Sequence, residues 1–199
     1  MFTETQVLKK LIKNSYKGSG LHIEHTSEGW LAMSGFYWQL EIDYRRINNK
    51  VKAQLIELVG ELPEPGEAYL YRHKEDPQSE IPGTTFKALM HKWADQRNKE
   101  YEITNVLLKT SQDNLAVLQC GDDKLLIPEW AADLVDGTLD DDENECGNGR
   151  SHSGDPYIYW ANNLMALSVF KRGERYVGEK DFIDAVRDVD LCWDFVQEV

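Results

Sequence analysis

Twice along the 199-residue chain the apolar period changes in the same order, from helical to alternating and back again. No other feature restricts the fold as much, because helices interleaved with hairpins must bury their apolar stripes on an antiparallel sheet. In the first pass Val7, Leu8, Leu11 and Ile12 share one helix face, opposite Lys9, Lys10, Lys13 and Lys17. Thr3 and Gln6 have the spacing of a capping box, and the segment from Lys17 to Gly20 stops the helix. Leu21 to Ile42 is rich in aromatic and β-branched residues, with turns near Ser27–Gly29 and at Gly35, and predicts two or three antiparallel strands. Asn48 or Asn49 caps a second helix, whose stripe is Val51, Leu55, Leu58, Val59 and Leu62 and which Pro63 and Pro65 end. Ala68–Tyr71 is one more strand.

The second pass follows a polar stretch with two prolines, residues 74–83, that reads as a linker. Thr84 or Thr85 caps a helix with Phe86, Leu89, Met90, Trp93 and Ala94 turned inward. Ile103–Leu108 and Leu115–Leu118 form a hairpin, Lys124–Ile127 a further strand, and Pro128 opens a short helix to Val135. Residues 136–155 are nearly devoid of apolar side chains and read as an exposed loop. Tyr157–Trp160 and Leu164–Phe170 are strands. A closing helix has Phe182, Val186, Val189, Trp193 and Val196 at helical spacing. Leu31-Ala32-Met33 corresponds to Leu115-Ala116-Val117, and Tyr69-Leu70-Tyr71 to Tyr157-Ile158-Tyr159. The expected organisation is an α+β fold of two similar helix–hairpin–helix–strand subdomains, 1–73 and 84–176, joined by the linker 74–83. A C-terminal acidic amphipathic helix, 177–199, completes it.

Charge is divided as sharply as pattern. Residues 1–100 carry 14 Lys and Arg against 14 Asp and Glu, whereas 101–199 carry 8 against 21, which is the whole formal charge of −13. Of those 21 carboxylates, 14 lie in the 136–155 loop and the terminal helix, outside the apparent repeat. Such a chain is repelled by bulk nucleic acid and anionic membrane unless its cations are gathered locally.

The segments ITNVLLK from Ile103, DNLAVL from Asp113 and LIPEWAADLV from Leu126 resemble a domain of DNA polymerase sliding clamps. In those proteins a strand of this kind turns into a second strand, and a later Ile-Pro opens the next helix. The resemblance covers roughly residues 84–172, with a fainter echo in 5–72. It implies helices lining a pore and presenting cations to DNA phosphates, and a protein that assembles into rings. The matching helices carry Lys9, Lys10, Lys13, Lys50, Lys52, Lys87, Lys92 and Arg97.

Chemical motifs argue mostly by what is missing. GxSxG, GxxxxGK[ST] and GxGxxG do not occur, so nothing in the sequence supports acyl transfer or nucleotide chemistry, and no catalytic residue is assigned. Asp140, Asp142 and Asn144 alternate like a calcium loop, but Glu145 stands where glycine is needed and the bidentate Glu is missing. His22 and His25, on one strand, point to opposite faces and do not form a metal site. Ser151-His152-Ser153 lies in a Gly/Ser segment and reads as loop rather than triad. Cys120, Cys146 and Cys192 are widely spaced and odd in number, which suits a reducing cytoplasm. No apolar run is long enough to span a membrane, and the N-terminus lacks the pattern of a signal peptide.

The expectation is therefore a cytoplasmic, non-catalytic protein that needs no cofactor and no metal and works by binding a macromolecule. In one reading the basic helix faces bind DNA, or the chain joins DNA-processing proteins. In the other, Asp140, Asp141, Asp142, Glu143, Asp181, Asp184, Asp188 and Asp194 imitate phosphates and block a nucleic-acid-binding protein. The exposed share of Trp30, Phe36, Tyr37 and Trp38 stacks on bases or on a partner.

Overall fold

A computed structural model of the chain describes residues 2–83, 88–111, 113–136, 147–172 and 177–192. Among them the elements run α1 (Thr5–Lys17), β1 (Leu21–His25), β2 (Trp30–Ser34), β3 (Trp38–Asp43), a 3-10 turn (Tyr44–Arg46), α2 (Asn49–Val59), β4 (Glu67–Tyr71) and β5 (Gln78–Glu80). They continue with α3 (Ala88–Trp93), β6 (Lys99–Lys109), β7 (Asn114–Cys120), β8 (Asp123–Pro128), α4 (Glu129–Leu134), β9 (Gly149–Ser151), β10 (Tyr157–Ala161), β11 (Met165–Phe170) and α5 (Val177–Val186). The mixed helix and strand content is α+β, as the sequence predicts.

All the strands join one sheet in the order β5-β4-β1-β2-β3-β11-β10-β9-β6-β7-β8, and every pairing is antiparallel. After the meander β1–β2–β3, helix α2 returns the chain so that β4 lies beside β1. After the meander β6–β7–β8, helix α4 returns it so that β9 lies beside β6. The halves meet where β3 pairs with β11, Trp38 opposite Val169 and Ile42 opposite Met165.

Alternation along the strands divides the core between two faces. Ile158 and Trp160 of β10 point to one face, where Leu8 and Ile12 of α1, Val51 and Leu55 of α2 and Ala131 and Leu134 of α4 cover the sheet. Tyr159 and Ala161 point to the other, where Leu89, Met90 and Trp93 of α3 pack. On that second face Phe182 and Ile183 of α5 cover Leu115, Val117 and Leu126. The sheet is thus a middle layer between helices.

Several sequence expectations change. Glu4, not Thr3, caps α1: its Oε2 accepts from the backbone N–H of Gln6 at 2.6 Å and of Val7 at 2.9 Å. Thr3 is instead buried in a bridge to Val135, with Glu4 N donating to Leu134 O and Asp136 N to Phe2 O. The N-terminal residues are therefore stitched to the end of α4. Asn48 caps α2 through Lys50 N, and the helix ends at Val59 because Gly60 turns it off with φ +82, ahead of the prolines. The stretch 74–83 is not an open linker, since its residues 78–80 form the edge strand β5 on β4. The 136–155 segment is not loop throughout. Gly149–Ser151 forms β9 between β6 and β10, with Gly149 and Ser151 buried. The terminal helix stops at Val186 rather than running to Val196, and Val189 N turns back to Val186 O. Thr84, Thr85, Phe86, Trp193 and Val196 lie outside the described residues.

Candidate nucleic-acid interface

The lysines of α1 are gathered by its helical wheel. Positions 9, 10, 13 and 17 fall within about 100° of one another at 100° per residue, opposite the buried Leu8, Ile12 and Ser15. No carboxylate lies between Thr5 and Lys17. Helix α2 packs alongside, with the Gln54 side-chain amide donating to the Lys9 carbonyl at 2.7 Å. Lys50 is exposed at the start of α2. Lys52 lies on the flank turned away from α1, its Nζ 4.2 Å over the Tyr44 ring, which stacks on His25. Among the described residues, no ion pair within 4.0 Å uses a lysine of α1 or α2. Six cations, Lys9, Lys10, Lys13, Lys17, Lys50 and Lys52, are thus carried by one helix pair, with Lys52 on its far flank.

Lys92 and Arg97 are elsewhere. α3 covers the opposite face of the sheet, so these two cannot act with the α1–α2 lysines on one straight ligand. The Arg97 guanidinium is engaged by Asp95, and its hydrogen bonds hold that carboxyl well below the usual carboxylate range. Lys87 lies outside the described residues, as do Asp140, Asp141, Asp142, Glu143 and Asp194. Asp181 and Asp184 are exposed on α5, and Arg187 pairs with Asp184. Asp188 falls beyond the helix end, so the expected row of carboxylates is not a single helical stripe. His22 turns toward Glu80 at 3.3 Å, while His25 is buried and its Nδ1 lies 3.0 Å from Pro63 O.

No protein-family model matches the chain, and no curated protein matches it. Among the described residues no helix is long and apolar enough to cross a membrane, and no three His, Cys, Asp or Glu side chains are grouped as metal ligands.

A second polar region lies across the sheet, in a cleft of about 700 Å³ lined by Gln39, Lys92, Arg97, His152, Asp155 and Ser168 among others. Tyr159 donates its hydroxyl to Asp155 at 3.0 Å, and burial with that bond pushes its pKa up. His152 Nε2 sits 3.8 Å from Asp155 Oδ2. Lys171 Nζ donates to Ser151 Oγ at 2.8 Å, and burial lowers the lysine pKa. A depressed lysine against a serine is the geometry of an activated nucleophile. Here the Ser151 hydroxyl is wholly buried and itself donates to Tyr157 O at 2.7 Å, so a reactant cannot reach it and the pair acts as a strap on β9.

Sequence reasoning missed one local arrangement, a row of two buried carboxylates. Ala32 lies opposite Glu24 on one side and Glu41 on the other. Glu24 Oε2 accepts from Gly83 N and Glu41 Oε2 from Leu89 N, tying the chain on either side of 84–87 to the sheet. Burial pushes the Glu41 carboxyl up to about 7, and Glu24 adds to the rise. A Glu alternating with apolar neighbours looks solvent-facing in sequence, and nothing in the pattern reveals that α3 covers it.

Proposed function

We propose that the chain is a non-catalytic macromolecule-binding protein that docks the α1–α2 surface on the phosphate backbone of DNA. One observation carries the reading: six lysines on a helix pair, none ion-paired among the described residues, in a protein of net charge −13. Lysines left without acidic partners on an acidic protein are the arrangement that counterion release from phosphates rewards. The surrounding acid then disfavours other orientations on a polyanion, so binding is confined to this face. Two meanders, each followed by a helix and a return strand, are what supports the clamp-like reading of the scaffold; ring-forming self-association is proposed with it only on the resemblance of the sequence segments. The placement of α3 on the far face reduces the proposed DNA-binding set to the lysines of α1 and α2.

The test is anisotropy of a short labelled duplex titrated with the protein across a salt series. Binding should weaken as salt rises, and Lys9→Glu, Lys10→Glu and Lys13→Glu together should abolish it. Reversing Lys92 and Arg97 should leave it nearly unchanged. Absence of duplex binding at low salt would overturn the proposal. Capture of a basic nucleic-acid-binding protein in its place, lost on neutralising Asp181, Asp184 and Asp188, would instead favour a phosphate-imitating inhibitor.

A further inference from the structure

Four aromatic rings run in file across one end of the sheet. Phe36 and Tyr37 meet edge-on with centroids 4.5 Å apart, Tyr37 lies 6.1 Å from Phe170, and Phe170 meets Tyr157 edge-on at 5.5 Å. They come from the β2–β3 turn, the last residue of β11 and the first of β10, which the order β3-β11-β10 brings to the same end. Phe36 is 72% exposed and Tyr37 46%, the most open Phe, Tyr or Trp rings among the described residues. Their turn is nevertheless held firmly. Gly35 packs so closely on α1 that a methyl group there would come 2.3 Å from Ser15 Oγ, and Phe170 N donates to Tyr37 O at 2.9 Å.

The file is flanked by charge. Lys10 of α1 lines the groove of about 480 Å³ that Tyr37, Phe170, Trp130 and Arg172 also line. Lys10 belongs to the lysine surface described above, so the aromatic file and the cations form one continuous track. Three carboxylates line the same groove: Glu129, engaged by Asn114, Asp113, paired with Arg172, and Asp133 of α4. We propose that this track binds a single-stranded polynucleotide, with bases stacked on Phe36 and Tyr37 and the backbone laid along Lys10 and Lys13. Ring faces fixed in place beside cations are what a strand with a π-face and a phosphate at every step can use, whatever its sequence. A duplex offers the phosphates but hides the faces of its bases. The inference rests on the reading of the α1–α2 surface as a phosphate contact and adds to it the state of the strand.

Labelled oligo(dT), oligo(U) and a duplex of equal length are titrated with the wild-type protein and with Phe36→Ala/Tyr37→Ala. Wild type should bind the single strands more tightly than the duplex; the ranking of oligo(dT) and oligo(U) tells whether DNA or RNA is the better strand, and either supports the site. The double variant should lose about tenfold or more on the single strands and keep its duplex affinity. Phe36→Trp with Tyr37 intact should retain single-strand binding, and Asp133→Asn should strengthen it. Equal losses on both kinds of ligand, or none, would overturn the stacking site while leaving the duplex reading in place. If wild type binds neither ligand, both readings fall together.

Discussion

The indole N–H of Trp38 donates to the hydroxyl of Ser15 at 3.0 Å, joining the first residue of β3 to the last turn of α1. Both groups are buried, and the bond passes beside Gly35. The backbone of Gly35 does not adopt positive φ, so an added methyl is opposed by space alone. Gly35→Ala should cost ~2 kcal/mol, the usual cost of overpacking, and should displace the aromatic turn. Urea unfolding with near-ultraviolet circular dichroism checks it; an unchanged midpoint would refute the close packing.

Glu41 makes stability fall with rising pH. Its carboxyl titrates at about 7 in the fold against 4.5 when exposed, so between those values the folded state binds more protons than the unfolded one. Stability contributed by the protonated form is full below the unfolded value and is lost as pH rises through 7. A shift of this size is worth ~3 kcal/mol. Glu41→Gln should flatten the decline in unfolding free energy between pH 4.5 and about 7, whereas an identical pH slope in the variant would remove Glu41 as its source.

Asn48→Ala and Asn49→Ala separate two caps that the sequence cannot tell apart. Asn48 Oδ1 accepts from Lys50 N at 2.8 Å, while Asn49 is already inside the helix and exposed. The first should cost ~1 kcal/mol and the second should be neutral or slightly stabilising, since Ala is the better helix former, read from thermal midpoints. The reverse ranking would move the helix start.

Much of the fold is legible because period and punctuation coincide: the apolar stripes of α1 and α2, and the β1–β2–β3 meander between turns at Ser27–Gly29 and Gly35. The two strands that escape are β5, Gln-Ser-Glu, and β9, Gly-Arg-Ser. Three polar residues held by backbone hydrogen bonds carry no period. For the candidate site, the lysine arc of α1 can be read from its spacing. The position of Lys92 and Arg97 cannot, since an amphipathic helix has the same pattern whichever side of a sheet it covers.

Gly149→Ala tests the hidden strand. A methyl there would approach Ile158 Cδ1 to 2.7 Å and the Trp160 ring to 2.8 Å, so it should destabilise by ~2 kcal/mol. Amide exchange supplies the second readout: Arg150 and Ser151 should exchange slowly, while Ser153 and Gly154 exchange fast. A neutral variant with fast exchange throughout 149–154 would return the segment to loop.

The joint between β3 and β11 bears on how the protein is made. It pairs Ile42 with Met165 and Trp38 with Val169, positions more than 120 residues apart. Loop closure over that distance is slow and comes late in folding. On the ribosome the first five strands can assemble while the hydrogen-bonding edge of β3 stays bare until nearly the whole chain has emerged. A bare strand flanked by apolar residues is a template for another copy. Synthesis rate and chaperone supply, rather than final stability, should therefore govern the yield of native protein.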